Sequence, residues 1–172
     1  ITALLEEEKY GEARQKLSDK ADDIMTADAV CYSGNPAVDS ILNYKLQTAQ
    51  KRQIKIEYKF CLPNQMKAEA DDLAVLLGNS IDNAMEAVSD LEEEKRVIRL
   101  SMNYDRGILI YKISNEYRAI RQAGGSFLTT KQDSKEHGIG MRSMRHIAEK
   151  YGGCLKADTR GNIFTLEIVL FL

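Results

Sequence analysis

The chain has 172 residues, of which 44% are hydrophobic and 29% are charged, and its 24 Lys and Arg against 26 Asp and Glu give a formal net charge of −2. This length fits one domain, or one domain with a short appendage, and a mildly acidic chain is not expected to bind nucleic acid. No apolar run approaches the roughly 20 residues that span a bilayer, and the three widely spaced cysteines fit neither a disulfide framework nor a zinc site. We therefore expect a soluble domain of a reducing cytoplasm.

Residues 1–30 are acidic and helical in pattern. They hold eight Asp and Glu against four Lys and Arg, and apolar residues recur at intervals of three to four positions from Ala13 to Ile24. A break around Gly11 divides this stretch into the end of one helix and a second helix. Because the chain opens within a helix, we expect residues 1–30 to be the C-terminal part of a helical hairpin that begins in a longer protein.

Residues 31–172 alternate between helical and strand-like patterns without a regular βαβ rhythm. Helices are predicted from Pro36 to about Arg52, from Asp71 to about Leu91 and from Met141 to Tyr151. Strands are predicted at 54–60, 97–102, 108–113, 154–158 and 163–171, with a hairpin turn over 103–107. Residues 118–140 contain four of the eleven glycines and lack periodicity, so they are expected to form a long loop that is either functional or mobile. This order predicts an α+β fold, a two-layer α/β sandwich with one mixed sheet and its helices on one face.

The helix at 73–88 carries an unusual polar stripe. At 100° per residue, Asn79, Asn83 and Glu86 lie on the side opposite the apolar stripe. Asn is a poor helix former because its amide competes for backbone hydrogen bonds. The stripe is either a solvated helix face, for which Lys and Glu would be better helix formers, or a row of oxygen groups that can ligate a hard cation such as Mg²⁺.

Two further features lie downstream of this helix. Asn115 follows the strand at 108–113, and it is either a common strand terminator or a hydrogen-bonding group for the edge of a heterocycle. Gly138-x-Gly140 runs directly into a helix at Met141, where backbone N–H groups and the helix dipole favour an anion. The alternative is a flexible connector, because no P-loop or dinucleotide motif surrounds these glycines.

The order and spacing of these motifs resemble the GHKL or Bergerat ATP-binding fold, which is shared by gyrase, Hsp90, histidine kinases and MutL. The resemblance covers residues 31–172. GNSIDNAMEAV at 78–88 is similar to the N box of sensor histidine kinases of the quorum-sensing, peptide-pheromone branch, and HGIGM at 137–141 is similar to their second glycine box. Residues 1–30 resemble the end of the dimerisation and histidine-phosphotransfer hairpin.

The resemblance implies roles for individual positions. Asn83 would be the Mg²⁺ ligand and Asn79 a second or water-mediated one, and together they would form the catalytic centre. Asn115 stands where the family usually has an Asp that accepts a hydrogen bond from the adenine amino group, and its amide oxygen can accept the same bond without the charge. The full set of ATP-binding positions implied in this way is Asn79, Asn83, Glu86, Asn115, Lys131, His137, Gly138, Ile139, Gly140 and Met141.

Several of these positions would act on the phosphates. Gly138 to Met141 would cradle them, Lys131 and either Arg118 or Arg121 would neutralise them, and His137 would donate a hydrogen bond to them. A lid phenylalanine is expected at Phe127. In hydrolysing members of the superfamily a Glu occupies the position of Asn79 and activates water, which an amide cannot do at neutral pH.

The expected activity is therefore that of a protein histidine kinase, which passes the γ-phosphate of Mg·ATP to a histidine upstream of this fragment. Neither histidine of the chain is expected to be the acceptor, because His137 adjoins the phosphate-binding glycines and His146 is a surface or packing residue. The fragment would then bind ATP but not phosphorylate itself. The alternatives are a GHKL serine kinase acting on a partner protein and a nucleotide-sensing module without catalysis.

The same resemblance implies partners for the complete protein. A response regulator would receive the phosphoryl group, and the helical hairpin would form a homodimer. Any contact with a membrane would be made through a missing N-terminal sensor region, with this part of the protein in the cytoplasm.

Overall fold

The protein is described by a computed structural model that covers residues 33–118, 120–121, 127–128 and 137–172, with the backbone alone at 120–121, 127–128 and 137–138. The chain divides into two units between Cys31 and Tyr32, and the described residues belong to the second unit. The helical hairpin predicted for residues 1–30 lies outside the described residues. No helix in the described part of the chain is long and apolar enough to cross a membrane.

A five-stranded mixed sheet forms one layer of the fold. The strands in the described residues are β1 (Lys55–Cys61), β2 (Val97–Asp105), β3 (Ile108–Glu116), β4 (Ile120–Arg121), β5 (Phe127–Leu128), β6 (Cys154–Arg160) and β7 (Ile163–Phe171). The large sheet has the order β1-β2-β3-β7-β6, in which β1 and β2 are parallel and the other pairs are antiparallel. The short strands β4 and β5 pair with each other inside the segment predicted to be a loop.

Three helices of the described part of the chain form the second layer: α1 (Pro36–Lys51), α2 (Ala70–Ser89) and α3 (His137–Lys150). A single 3₁₀ turn at Glu93–Lys95 precedes β2. The start of α1 follows from its sequence, because the Asn35 side-chain oxygen accepts hydrogen bonds from the N–H groups of Ala37 and Val38 at 3.2 and 3.3 Å. Pro36 then occupies the first helical position, where its missing N–H is not needed.

The helices cover one face of the sheet in the same order as the strands beneath them. α1 packs on β1, α2 on β2 and β3, and α3 on β6 and β7, with α2 between the other two helices. On β3 the side chains alternate, so that Tyr111 and Ile113 are buried under α2 while Ile110 and Lys112 are exposed on the opposite face. The predicted α+β sandwich with a mixed sheet and helices on one face is confirmed.

Several boundaries differ from the predictions. β3 continues to Glu116, three residues beyond its predicted end, so Asn115 lies within the strand and not after it. The hairpin between β2 and β3 turns over Arg106 and Gly107 alone, both with positive φ (46° and 86°), because Asn103 to Asp105 continue the strand. α3 begins at His137, four residues before the predicted start at Met141. The sequence prediction assigned Gly138 and Gly140 to the loop before the helix because residues 118–140 are polar and lack sustained periodicity. In the structure they form its first turn, and there tertiary packing against α2 outweighs the local preference.

Candidate functional site

Asn79 and Asn83 lie one turn apart on α2, outside the buried face of the helix. Both are half-buried, and Glu86 on the same stripe is exposed. The buried side of the helix carries apolar residues that pack on the sheet, including Leu77 and Ile81. The structure therefore brings the three polar residues of the predicted stripe together on one side of α2.

The carboxylate between the two asparagines is engaged with another helix. Asp82 pairs with Lys45 of α1, whose Nζ lies 2.7 Å from both carboxylate oxygens. Among the described residues, none hydrogen-bonds the side-chain amide of Asn79 or Asn83. Amide oxygens, rather than the Asp82 carboxylate, are thus the groups that this part of α2 can offer to a ligand.

A Mg²⁺ ion fits these residues when it arrives with a phosphorylated molecule. Within residues 33–118 and 139–172, no group of three His, Cys, Asp or Glu side chains could hold a metal ion. Mg²⁺ prefers hard oxygen ligands, keeps several waters, and is commonly bound by one or two protein groups together with substrate phosphates. Asn79 and Asn83 supply two such oxygens one helical turn apart.

The first turn of α3 lies against the asparagine stripe of α2. A Cβ atom placed on Gly140 would be 3.7 Å from both Cβ and Cγ of Asn79, so these two residues are neighbours although they are distant in sequence. The N–H groups in the first turn of a helix have no intrahelical acceptor, and the helix dipole makes this end partly positive. A helix end suited to an anion therefore adjoins amides suited to a cation.

The remaining phosphate-side predictions are placed as follows. His137 and Gly138 share the first turn of α3 with Ile139, which is 63% exposed, and Met141 follows half-buried. Lys131 lies outside the described residues. Arg118 and His146 lie outside this turn, and both are exposed. Arg121 and Phe127 also lie outside it, and only their backbone is described.

Asn115 lies on the core side of β3 and is only 2% exposed. Its Nδ2 group is 2.7 Å from the backbone carbonyl of Glu116. A carbonyl oxygen can only accept a hydrogen bond, so the NH₂ half of the amide must face it. No described residue donates to Oδ1 of Asn115. The side chain therefore offers an acceptor to a ligand, as the predicted role requires.

The sequence analysis did not single out a buried hydroxyl pair beneath the asparagines. The Tyr111 hydroxyl of β3 lies 2.7 Å from Oγ of Ser80 on α2. Both residues are almost completely buried, and burial strongly raises the pKa of the Tyr111 phenol. A signal was present, since Ser80 stands on the apolar face of the helix and Tyr111 at an inward position of its strand.

A second cluster that the sequence analysis missed joins the start of α2 to the end of α3. The Tyr151 hydroxyl donates to Asp72 at 2.7 Å and accepts from the N–H of Glu69 at 2.8 Å. Lys150 Nζ lies 2.8 Å from Asp72 and 3.0 Å from Glu69. The Lys150 ammonium, and after it the Tyr151 hydroxyl, hold the pKa of Asp72 below its ordinary value. Because these groups come from positions far apart in the chain, no local motif indicates the cluster.

Comparisons with known proteins agree with this geometry. Solved structures of the catalytic domain of histidine kinase ThkA in three nucleotide-free forms superpose with TM-scores of 0.59, 0.58 and 0.58, at 17%, 14% and 16% sequence identity. Each match covers 81% of this chain and 93%, 94% or 95% of the ThkA chain. No curated protein is significantly similar to the chain in sequence. The family model for the GHKL domain matches residues 68–171, which is more than half of the chain and includes α2, Asn115 and α3. The chain therefore belongs to the GHKL domain family, whose members bind ATP.

Proposed function

We propose that this GHKL domain is the catalytic ATP-binding domain of a sensor histidine kinase of the peptide-pheromone branch. The observation that carries the proposal is the near contact between Asn79 and Gly140. It puts amide oxygens and a helix N-terminus at one place, and Mg·ATP presents a divalent cation and phosphate oxygens that match both. The helix N-terminus alone would suit any small anion, and the amide oxygens alone would suit any hard metal ion, so only the two together favour Mg·ATP.

Asn115 supports adenine as the base. Its NH₂ group is held by the Glu116 carbonyl at 2.7 Å, which leaves Oδ1 to accept a hydrogen bond. The adenine amino group is a donor, whereas guanine carries a carbonyl acceptor at the corresponding position. The fixed amide therefore favours adenine over guanine in the same pose.

The chemistry of the asparagine stripe favours transfer over hydrolysis. Asn79 cannot take a proton from water at neutral pH, and the carboxylate of Asp82 is held by Lys45. In the transfer, the bond from the γ-phosphorus to the β,γ-bridging oxygen breaks, a bond to an imidazole nitrogen of the acceptor forms, ADP leaves, and the imidazole N–H proton is released. A bound Mg²⁺ neutralises charge on the β- and γ-phosphates. The contribution of Asn79, Asn83 and the first turn of α3 is to hold and align the triphosphate.

We propose that the acceptor histidine lies on the helical hairpin whose end residues 1–30 resemble. His137 and His146 are not the acceptor. A response regulator as the next phosphoryl acceptor, a homodimer through that hairpin and a cytoplasmic location are parts of the same proposal. They rest on the resemblance of the motifs at 78–88 and 137–141 to sensor histidine kinases.

Nucleotide binding is tested by calorimetry on the 172-residue chain with a non-hydrolysable ATP analogue, with and without Mg²⁺. We expect Mg²⁺-dependent binding, and we expect Asn83→Ala to weaken it at least about tenfold, or about 1.4 kcal/mol. The variant should fold normally because Asn83 is only half-buried and Ala favours a helix. Asn103→Ala, at an exposed position of β2, is the matched control and should bind as the original chain does. Equal binding by the two variants would contradict the assignment of Asn83.

The type of kinase is tested on the protein that carries both this domain and its acceptor, with ATP labelled at the γ-phosphate. A phosphohistidine is lost in acid and survives alkali, whereas a phosphoserine ester survives acid and is lost in alkali. We expect acid-labile label. Acid-stable label would favour a serine kinase instead, and nucleotide binding without any labelled protein would contradict the histidine kinase.

A further inference from the structure

The hydrogen bond between Ser80 and Tyr111 is out of place in a core that is otherwise mostly apolar. Tyr111 is 1% exposed and Ser80 2% exposed, and their neighbours in the buried core include Leu76, Leu77 and Ile113. Burying a hydroxyl is unfavourable unless it is hydrogen-bonded, and Phe with Ala would fill similar space without that requirement. The pair therefore calls for an explanation beyond packing.

The direction of the hydrogen bonds can be worked out from the groups involved. Ser80 Oγ lies 2.6 Å from the carbonyl oxygen of Leu76 and 3.2 Å from that of Leu77, both of which can only accept, so the single proton of the serine is used on the helix backbone. The serine oxygen must then accept from the Tyr111 hydroxyl at 2.7 Å. The result is a series of hydrogen bonds, each with a fixed donor, that runs from the Tyr111 hydroxyl on β3 through Ser80 to the backbone of α2.

These hydrogen bonds join α2 and β3, the two elements that carry the two halves of the candidate site. Ser80 follows Asn79 directly and lies within the turn that leads to Asn83. Tyr111 is on the same side of β3 as Asn115 and four residues before it, which is about 13 Å along a strand. A shift of α2 along the sheet would change the distance between the amides of Asn79 and Asn83, proposed to bind Mg²⁺, and the amide of Asn115, proposed to bind adenine.

Apolar packing opposes such a shift through shape alone, because the hydrophobic effect has no preferred direction. A hydrogen bond restricts both distance and angle. Misplacement by about 1 Å can change the rate of a positioned reaction by about 10²-fold. We propose that Ser80 and Tyr111 are positioning residues, which set the spacing between Asn115 and the Asn79–Asn83 pair so that one nucleotide can reach both. This inference rests on the proposed binding of Mg·ATP.

The test compares two ligands that sample different parts of the site. Adenosine contacts the base side alone, whereas a Mg²⁺-bound, non-hydrolysable ATP analogue must reach both sides. For Tyr111→Phe and for Ser80→Ala, we expect adenosine affinity within about twofold of the original chain and affinity for the Mg²⁺-bound analogue weakened at least about fivefold. Ser80→Thr, which keeps the hydroxyl, should restore most of the lost affinity. A purely structural role would change both affinities together or neither.

Tyr151→Phe is the matched control. It removes a tyrosine hydroxyl that bonds Asp72 at 2.7 Å, the same length as the Tyr111 bond, but at the far end of α2. It should lower the melting temperature without changing the ratio of the two affinities. An unchanged ratio in Ser80→Ala and in folded Tyr111→Phe would overturn the inference while the proposed function stands. Failure of the original chain to bind the Mg²⁺-bound analogue would overturn both.

Discussion

Replacing Asn115 with Asp should destabilise the domain, although the GHKL resemblance leads one to expect Asp at this position. The Asn115 NH₂ group donates to the Glu116 carbonyl at 2.7 Å, and Asp would present an oxygen there. Loss of that hydrogen bond costs about 0.5–1.5 kcal/mol. At 2% exposure, the new carboxylate would also lose most of its hydration, which is a further penalty on the ionised form.

The upper limit of the effect follows from protonation. The carboxyl group introduced by Asn115→Asp has an ordinary pKa of about 3.9, so protonating it at pH 7 costs about 4 kcal/mol, at about 1.36 kcal/mol per pH unit. The protonated O–H can then donate to the Glu116 carbonyl. Because the cheaper of the two states prevails, we expect a loss of about 1–4 kcal/mol at pH 7. Burial raises the pKa of the introduced carboxyl in the folded state, so stability is lost as pH rises from about 3.9 to that higher pKa. The deficit should therefore be smallest near pH 4 and should level off at high pH.

Urea unfolding of the original chain and Asn115→Asp at several values between pH 4 and pH 8 measures this dependence. Asn103→Asp, at an exposed position on the neighbouring strand, introduces the same charge without burial and should change stability by less than about 0.5 kcal/mol throughout. If Asn115→Asp is as stable as the original chain at pH 7, the amide of Asn115 is not fixed by Glu116 and the argument for its free acceptor fails.

Two further predictions concern the ends of α3. Asp72→Asn should lower the melting temperature at pH 7, and the difference should close on acidification, because the pKa of Asp72 is lowered in the folded state. Its stabilisation is complete above the unfolded value of about 3.9 and is lost as pH falls through the lower folded value; melts that keep the same gap at pH 2.5 would contradict this. Gly140→Ala should fold at least as stably, since its methyl group would make only ordinary contacts at 3.7 Å and Ala favours a helix by up to about 1 kcal/mol. It should nevertheless weaken Mg²⁺-dependent nucleotide binding severalfold in calorimetry, because the methyl group lies beside Asn79. Unchanged affinity would show that Gly140 is not part of the binding site.

The parts of the fold that the sequence predicted are those with strong local signals. Strict alternation around residues 54–60 indicated β1, and the apolar stripe of 73–88 indicated α2 together with the side on which Asn79 and Asn83 lie. Each signal depends on residues within a few positions of one another. For that reason they also gave the fold class, which depends mainly on the order of helices and strands.

The parts that the sequence did not predict depend on distant residues. The sequence predicts the start of α3 four residues too late because residues 118–140 lack periodicity, whereas in the fold Gly140 of the first turn lies beside Asn79. The direction of the Asn115 amide is decided by a carbonyl that the fold places beside it, and the partner of Ser80 lies on another strand. None of these contacts follows from periodicity, because each joins or orients groups that only the complete fold brings together.

The pairing of β3 with β7 has a consequence for how such a domain can evolve. Glu116 at the end of β3 is paired with Ile163, so the chain is anchored at the point where it leaves the sheet, and α3 holds it again from His137. The entropy of closing a connection grows only slowly with its length, by about 0.6 kcal/mol for each doubling. Loop-closure entropy alone therefore penalises a change in the length of this connection only slightly. A domain with this fold can therefore vary in length between the two anchors while the sheet and its helices stay the same.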